Sequence, residues 1–109
     1  MLSNQLEVIN KLRDELQEQA IRDPLTNAYN RRYLSEFLDK EVARAERDNT
    51  PVTVVIMDMD NFKQFNDTYG HMVGDTALCE STNRMRTLLR SYDAIGRYGG
   101  EEFLMVLPG

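Results

Sequence analysis

The chain has no tryptophan, one cysteine and one histidine in 109 residues. A single thiol excludes a disulfide framework and, with one imidazole, leaves too few ligands for a structural zinc. Cys79 is therefore expected as a small, buried side chain on a helix, and His71 as a structural residue. No apolar run is long enough to cross a bilayer, and the N-terminus lacks the basic-then-apolar layout of a secretion signal. This predicts a cytoplasmic segment without membrane contact, compatible with a membrane-bound parent protein. The sequon Asn66-Asp67-Thr68 then has no consequence. Positive charge is in deficit, 13 Lys and Arg against 18 Asp and Glu, for a net charge of −5. A broad nucleic-acid or anionic-membrane surface is excluded, although a single nucleotide can still be held by local geometry and a metal ion. Low-complexity tracts and internal repeats are also absent, and the length allows at most one domain.

What is present begins with a polar segment, residues 1 to about 22, carrying Leu2, Leu6, Ile9, Leu12, Leu16 and Ala20 at spacings of three and four. A stripe this narrow suits a coiled-coil stalk, with packing back on the domain as the other reading. Asp23-Pro24 ends that helix. Leu25-Thr26-Asn27 is expected to cap a second helix from about Ala28 to Asp48, with Tyr33, Leu34, Phe37, Leu38, Val42 and Ala45 inward. Its charges from Asp39 to Asp48 alternate in sign and read as a solvated face. The β-branched run Val52 to Met57 predicts a central strand buried on both faces, ending in Asp58-Met59-Asp60. A short helix over Asn61 to Tyr69 follows. Asp75 is then the expected N-cap of a third long helix reaching about Arg90, with Val73, Ala77, Leu78, Met85, Leu88 and Leu89 inward.

Arg97-Tyr98-Gly99-Gly100-Glu101-Glu102-Phe103 lies between two apolar runs and reads as a hairpin tip, Gly99-Gly100 supplying the positive φ of a tight turn. It is either a solvated turn or a place where a metal-bound phosphate approaches the backbone. Asp58 at a strand end, the helix start at Asn61 to Lys63 and Glu101-Glu102 at a neighbouring turn together outline a carboxylate cluster beside a phosphate cradle. Hard oxygen donors of this kind suit magnesium, which keeps waters and shares substrate phosphates. The residues alone reach as far as a magnesium-nucleotide site.

Three stretches carry a resemblance: DPLTNAYNRR (Asp23 to Arg32), DMDNFKQFNDTYGHMVGD (Asp58 to Asp75) and RYGGEEF (Arg97 to Phe103). In order and spacing they resemble the signatures of GGDEF-domain diguanylate cyclases, in the GGEEF version. The resemblance implies an α/β domain like the palm of nucleotide cyclases and polymerases, with a central sheet, flanking helices and an N-terminal stalk helix. It divides the chain into a linker helix (1–22) and the N-terminal portion of the domain (23–109). The implied reaction condenses two GTP, one on each half of a homodimer, into cyclic di-GMP with release of pyrophosphate.

By the same resemblance, Asp58, Glu101 and the Met59 carbonyl hold Mg²⁺, with Mn²⁺ as a substitute, and Glu101 and Glu102 serve the chemistry. Asn61, Phe62 and Lys63 cradle the outer phosphates through backbone N–H groups, while Gly99 and Gly100 admit the α-phosphate. Asn66 and Asp75 read guanine, against turn and N-cap roles for the same residues. Arg90 and Asp93 match the family's RxxD site, where cyclic di-GMP binds as product and inhibitor, against an arginine favoured by a helix C-terminus. Ala28 stands where the family usually has a larger apolar residue.

The family's domain continues beyond Gly109, so this piece is expected to expose a sheet edge and an apolar face and to turn over GTP poorly by itself. Two rivals stay open: a non-catalytic module binding GTP or cyclic di-GMP, and a scaffold dimerised by the N-terminal helix. An upstream sensor or receiver domain is expected in either case.

Overall fold

A computed structural model describes residues 2–109 of the chain, without the side chain of Leu2, so the stripe position assigned to Leu2 lies outside the described residues. The elements are α1 (Leu2–Ile21), α2 (Arg31–Asp48), β1 (Val52–Asp58), α3 (Phe62–Tyr69), α4 (His71–Leu88), β2 (Ala94–Arg97) and β3 (Glu102–Pro108). The strands form one antiparallel sheet in the order β1-β3-β2.

Alternation along the strands divides the core in two. Leu104 and Val106 of β3 and Ala94 of β2 face α2 and pack on Leu34. Phe103 and Ile95 face the other way, against Leu78 of α4, with Met57, Phe62 and Met85 around them. Leu34, Leu78, Phe103 and Val106 are fully buried, and each such side chain stabilises the fold by about 1.5–3 kcal/mol. The expected α/β architecture, a sheet with helices on its two faces, is the observed one. At Gly96 an added Cβ would lie 2.6 Å from the Leu34 side chain, so the absence of a side chain there lets α2 sit down on β2.

Four local expectations are corrected. The second helix starts at Arg31, not Ala28. Asn30 is its N-cap, accepting from the Tyr33 N–H at 2.9 Å. Asn27 instead adopts a left-handed conformation (φ 61°) inside a loop that the Asp23 carbonyl closes. That loop returns Tyr29 to the outer edge of β2, where it donates to Ile95 O and accepts from Arg97 N. One edge of the sheet is thereby occupied.

The second correction concerns β1, expected as a central strand buried on both faces. It is an edge strand, and β3 takes the centre because it pairs with both neighbours. Ile56 is 74% exposed and Val54 41%. α2 packs over β2 and β3 and leaves an apolar cleft of about 440 Å³ between Leu38 and these two residues. An exposed apolar face was expected, and this is where it lies.

Third, Asp75 is not an N-cap. α4 begins at His71, and Gly70 at φ 90° ends α3 and begins α4 at once, leaving Asp75 in the second turn of α4. Fourth, three positions expected inward are exposed: Val42, Val73 and Leu88. Ala77 is half-buried, whereas Met85 and Leu89 join the core beside Leu78. Cys79 is half-buried, and its thiol donates to the Leu25 carbonyl at 3.2 Å.

α1 projects from this body, every described side chain from Ser3 to Ala20 exposed. Its last carbonyls, which lack partners within the helix, are met by the start of α2. The Asn30 side chain and Arg32 both donate to Ala20 O, at 2.8 and 3.0 Å, and the Asn30 N–H donates to Ile21 O. Of the two readings for this helix, packing back on the domain does not occur among the described residues. No described helix is long and apolar enough to cross a membrane.

Candidate nucleotide and metal site

The candidate site gathers at the end of the sheet where β1 finishes and β3 begins. Asp58, the last residue of β1, is the direct register partner of Glu102, the first of β3. One residue on, the Met59 N–H donates to Glu101 O at 3.2 Å, so the backbones of Asp58, Met59, Glu101 and Glu102 form one frame. Their proximity follows from the Met57–Phe103 and Ile56–Leu104 pairs, which fix the register by burying Phe103 and Leu104.

The turn between β2 and β3 is not the tight two-residue turn expected. It spans Tyr98 to Glu101, with the N–H groups of Tyr98 and Gly99 both donating to Glu102 O, at 2.8 and 3.3 Å. Gly99 and Gly100 are not in the left-handed region, in which the described glycines are Gly70 and Gly109. A Cβ on Gly100 would meet nothing within 4 Å, and one on Gly99 would make only ordinary contact with the Glu102 side chain. The fold itself therefore has no steric use for this glycine pair. Open space over a bare backbone is what an approaching ligand needs.

Asp58, Glu101, Glu102 and the Met59 carbonyl offer oxygen atoms only. Among the described residues no three His, Cys, Asp or Glu side chains gather closely enough to hold a metal alone. Such a donor set fits magnesium, which takes one or two carboxylates and completes its shell with phosphate and water.

α3 starts directly beyond Asp60. Asn61 occupies its N-cap in a left-handed conformation (φ 55°) and its side chain makes no capping bond, leaving the first N–H groups of the helix without that partner. The Phe62 ring packs into the core beside Phe103 while Lys63 is exposed. One turn further, Asn66 faces Gly74 of α4 so closely that an alanine Cβ there would overlap its carboxamide. Asn66 Oδ1 is buried and has no hydrogen-bond partner, an arrangement that costs about 1–3 kcal/mol unless something donates to it. Asp75 follows Gly74 and is exposed. The structure thus sets Asn66 of α3 against Gly74, the residue before Asp75 on α4, a glycine whose role the sequence reading did not register.

Arg90 and Asp93 lie at the opposite end of the sheet, beside Pro108, where β3 finishes. The length of β3 puts about 20 Å between the two ends. Arg90 forks onto Asp93 (Nε to Oδ2 and Nη2 to Oδ1, both 3.0 Å), and its own backbone N–H donates to Oδ2 at 2.8 Å. A further bond runs from Nη2 to Pro108 O at 3.1 Å, and the guanidinium lies 4.5 Å from the centre of the Tyr92 ring. The Asp93 side chain is 3% exposed, the Arg90 side chain 48%. The hydrogen bonds from Arg90 hold the Asp93 carboxyl below its ordinary value against the opposing effect of burial. Arg90 lies beyond α4, which ends at Leu88, so the ion pair rather than a helix terminus holds it.

Two more residues belong to the site's framework and escaped the sequence reading. Arg97 donates through Nε and Nη2 to Gly100 O at 3.1 and 2.7 Å, and its Nη1 lies 3.4 Å from Asp23 Oδ2. Burial pushes the Asp23 carboxyl up. The Thr26 N–H, the Thr26 hydroxyl and the Arg97 charge outweigh it, so the carboxyl sits below its ordinary value. Seventy-four positions separate the two residues, and only the return of the chain at Tyr29 joins them.

The family model described as "Diguanylate cyclase, GGDEF domain" matches residues 20–109. Over 95 residues, 87% of this chain, the sequence is 43% identical to the diguanylate cyclase DgcP of Pseudomonas aeruginosa and to the response regulator PleD of Caulobacter vibrioides. It spans 14% and 21% of their respective lengths. Among solved structures, the coiled coil and GGDEF domain of DgcB from Caulobacter crescentus in complex with c-di-GMP superposes with a TM-score of 0.86 at 33% identity. That match covers 98% of this chain and 58% of the other. Diguanylate cyclase SiaD of Pseudomonas aeruginosa, in complex with its activator SiaC, gives 0.82 at 44% identity, over 97% and 41% of the two chains.

Proposed function

Because the chain belongs to the GGDEF family of diguanylate cyclases, we propose that it is the output domain of a signalling protein that condenses two GTP into cyclic di-GMP. The observation that carries this reading is the turn from Tyr98 to Glu101. Its two glycines serve neither a left-handed conformation nor a packing contact, its Glu101 carbonyl accepts from the Met59 N–H, and the next residue, Glu102, is the register partner of Asp58.

Asp58, Glu101 and the Met59 carbonyl would hold Mg²⁺, with Mn²⁺ as a substitute. When bound, the ion neutralises charge that gathers on the phosphoryl oxygens. The N–H groups of Asn61, Phe62 and Lys63, free of a side-chain cap, orient the β- and γ-phosphates. Gly99 and Gly100 let the α-phosphate reach the backbone. Asn66 Oδ1, buried without a donor, accepts from the guanine 2-amino group, and the Asp75 carboxylate accepts from the same edge. Adenine lacks that pair of donors. On a homodimer with two facing sites, each 3′-hydroxyl oxygen bonds to the other nucleotide's α-phosphorus. The bond to pyrophosphate breaks, and the hydroxyl proton passes to Glu101, with Glu102 beside it.

Arg90 and Asp93 serve a different end of the domain. An arginine already forked by a buried carboxylate presents its remaining edge in a fixed plane, suited to a phosphate or a guanine of cyclic di-GMP. About 20 Å from the reacting groups, product bound there acts on turnover without competing for the GTP site.

The parent protein incubated with GTP and Mg²⁺, its products read by mass, tests the proposal. Cyclic di-GMP is expected from the parent and none from the Glu101→Gln variant. No product from either, with cyclic di-GMP still bound in an Arg90-dependent way, overturns it in favour of a binding module.

A further inference from the structure

We infer that Arg31, the first residue of α2, contacts the substrate: its guanidinium donates to an oxygen of the nucleotide phosphate that lies over Gly99 and Gly100. The inference deepens the cyclase reading and rests on it. α2 opens with a cation where its own backbone disfavours one. The first turn of a helix carries the positive end of the backbone dipole, and here it holds Arg31 and Arg32 with no acidic residue. Arg32 is accounted for by its bond to Ala20 O. Arg31 is exposed, and it takes part in none of the ion pairs among the described residues. What holds it is an aromatic ring: the guanidinium carbon lies 4.3 Å from the centre of Tyr98.

Tyr98 fixes where that charge can act. Its ring packs on the cluster of Leu34, Leu104 and Val106, and its N–H donates to Glu102 O at 2.8 Å. The next two residues are Gly99 and Gly100, the pair that admits the α-phosphate. Strand alternation puts Glu102 on the face of Leu104 and Val106, and Tyr98, Glu102, Val54 and Ile56 line one cleft on that face. Asp58 follows Ile56 by two residues and is the register partner of Glu102, so its side chain projects to the same side. Arg31, Glu102 and Asp58 therefore stand on one face of the sheet, at one end of it. Arg31 is paired with neither carboxylate, and its charge remains available. A triphosphate beside Asp58, Glu101 and Glu102 gathers negative charge, which a cation fixed on their face offsets.

The test uses the parent protein and its Arg31→Ala and Arg31→Lys variants, with Mg²⁺ throughout. Calorimetry reads binding of guanosine and of the GTP analogue with a methylene bridge between its α- and β-phosphorus atoms, and steady-state kinetics reads turnover of GTP. Arg31→Ala is expected to weaken binding of the analogue by roughly tenfold, while guanosine, which has no phosphate, binds as before. The same variant lowers kcat by roughly a hundredfold. Arg31→Lys keeps the charge without the planar fork and recovers part of both losses. The denaturant midpoint is unchanged in both variants. Equal affinity for the analogue in wild type and Arg31→Ala overturns the inference. So does a loss for guanosine as large as that for the analogue, or a fall in the denaturant midpoint, either of which marks a role in the fold. Cyclic di-GMP from a wild type whose analogue binding ignores Arg31 leaves the cyclase reading standing without this inference. No cyclic di-GMP, with analogue binding that still depends on Arg31, does the reverse, and an analogue that fails to bind the wild type overturns both.

Discussion

Single residues carry the chemistry, and the glycines separate cleanly by what each one avoids. Gly74 avoids a collision: Gly74→Ala drives a methyl into the Asn66 carboxamide. The expected cost is about 1–3 kcal/mol in denaturant unfolding, together with weaker GTP binding in calorimetry. Gly100 avoids nothing within the chain. Gly100→Ala is expected to unfold at the same denaturant concentration within about 0.5 kcal/mol while losing turnover, because the methyl enters the space assigned to the α-phosphate. Asp93 makes a third prediction. Its carboxyl lies below the ordinary 3.8 in the folded chain, so the Arg90–Asp93 pair contributes its full stability above that pH. The contribution is lost as pH falls through the lower folded value. An acid titration of stability is expected to show this loss in the wild type and a shallower one in Asp93→Asn. None of this was legible from residue types alone. Asp58 and Glu101 stood out as carboxylates at a strand end and a turn and Asn66 and Asp75 only through the family resemblance, whereas Gly74 and Arg97 matter through partners that the fold supplies.

At the scale of the element, α1 shows what periodicity can deliver. Leu6, Ile9, Leu12 and Leu16 keep their spacing in the helix, and all four are more than half exposed. An apolar stripe left bare on a polar helix suits a seam for a second helix, and that reading is open to test. Replacing Leu12 by Glu is expected to weaken self-association of the parent protein by roughly tenfold or more, measured by sedimentation equilibrium. Helix ends were harder to read. Asn27 and Asn30 are equally good caps by residue type, and the choice fell to Asn30 because Ala28 and Tyr29 are drawn into the core and onto the edge of β2. Asp75 carried an N-cap signature yet lies inside α4, since Gly70 changes the chain direction in one step and the helix restarts at once.

For the whole molecule, the class of fold and the end of the sheet that bears the site were legible, because β-branched runs and carboxylates at strand ends are local signals. The order of the strands was not. A run such as Val52 to Met57 reads as buried on both faces, but burial depends on which neighbours a strand acquires, and β1 acquires only β3. The length of β3, not the strand order, separates the candidate site at one end from Arg90 and Asp93 at the other.

Strand order also bears on how the chain comes off the ribosome. β3 lies between β1 and β2 yet is synthesised after both. Until its residues leave the exit tunnel, neither earlier strand has the partner that completes its hydrogen bonds, and Val54, Ile56 and Ile95 wait on unpaired edges. The nascent chain is therefore most prone to misassociation just before residues 102–108 appear, and the GGEE turn is the last part of the candidate site to take shape.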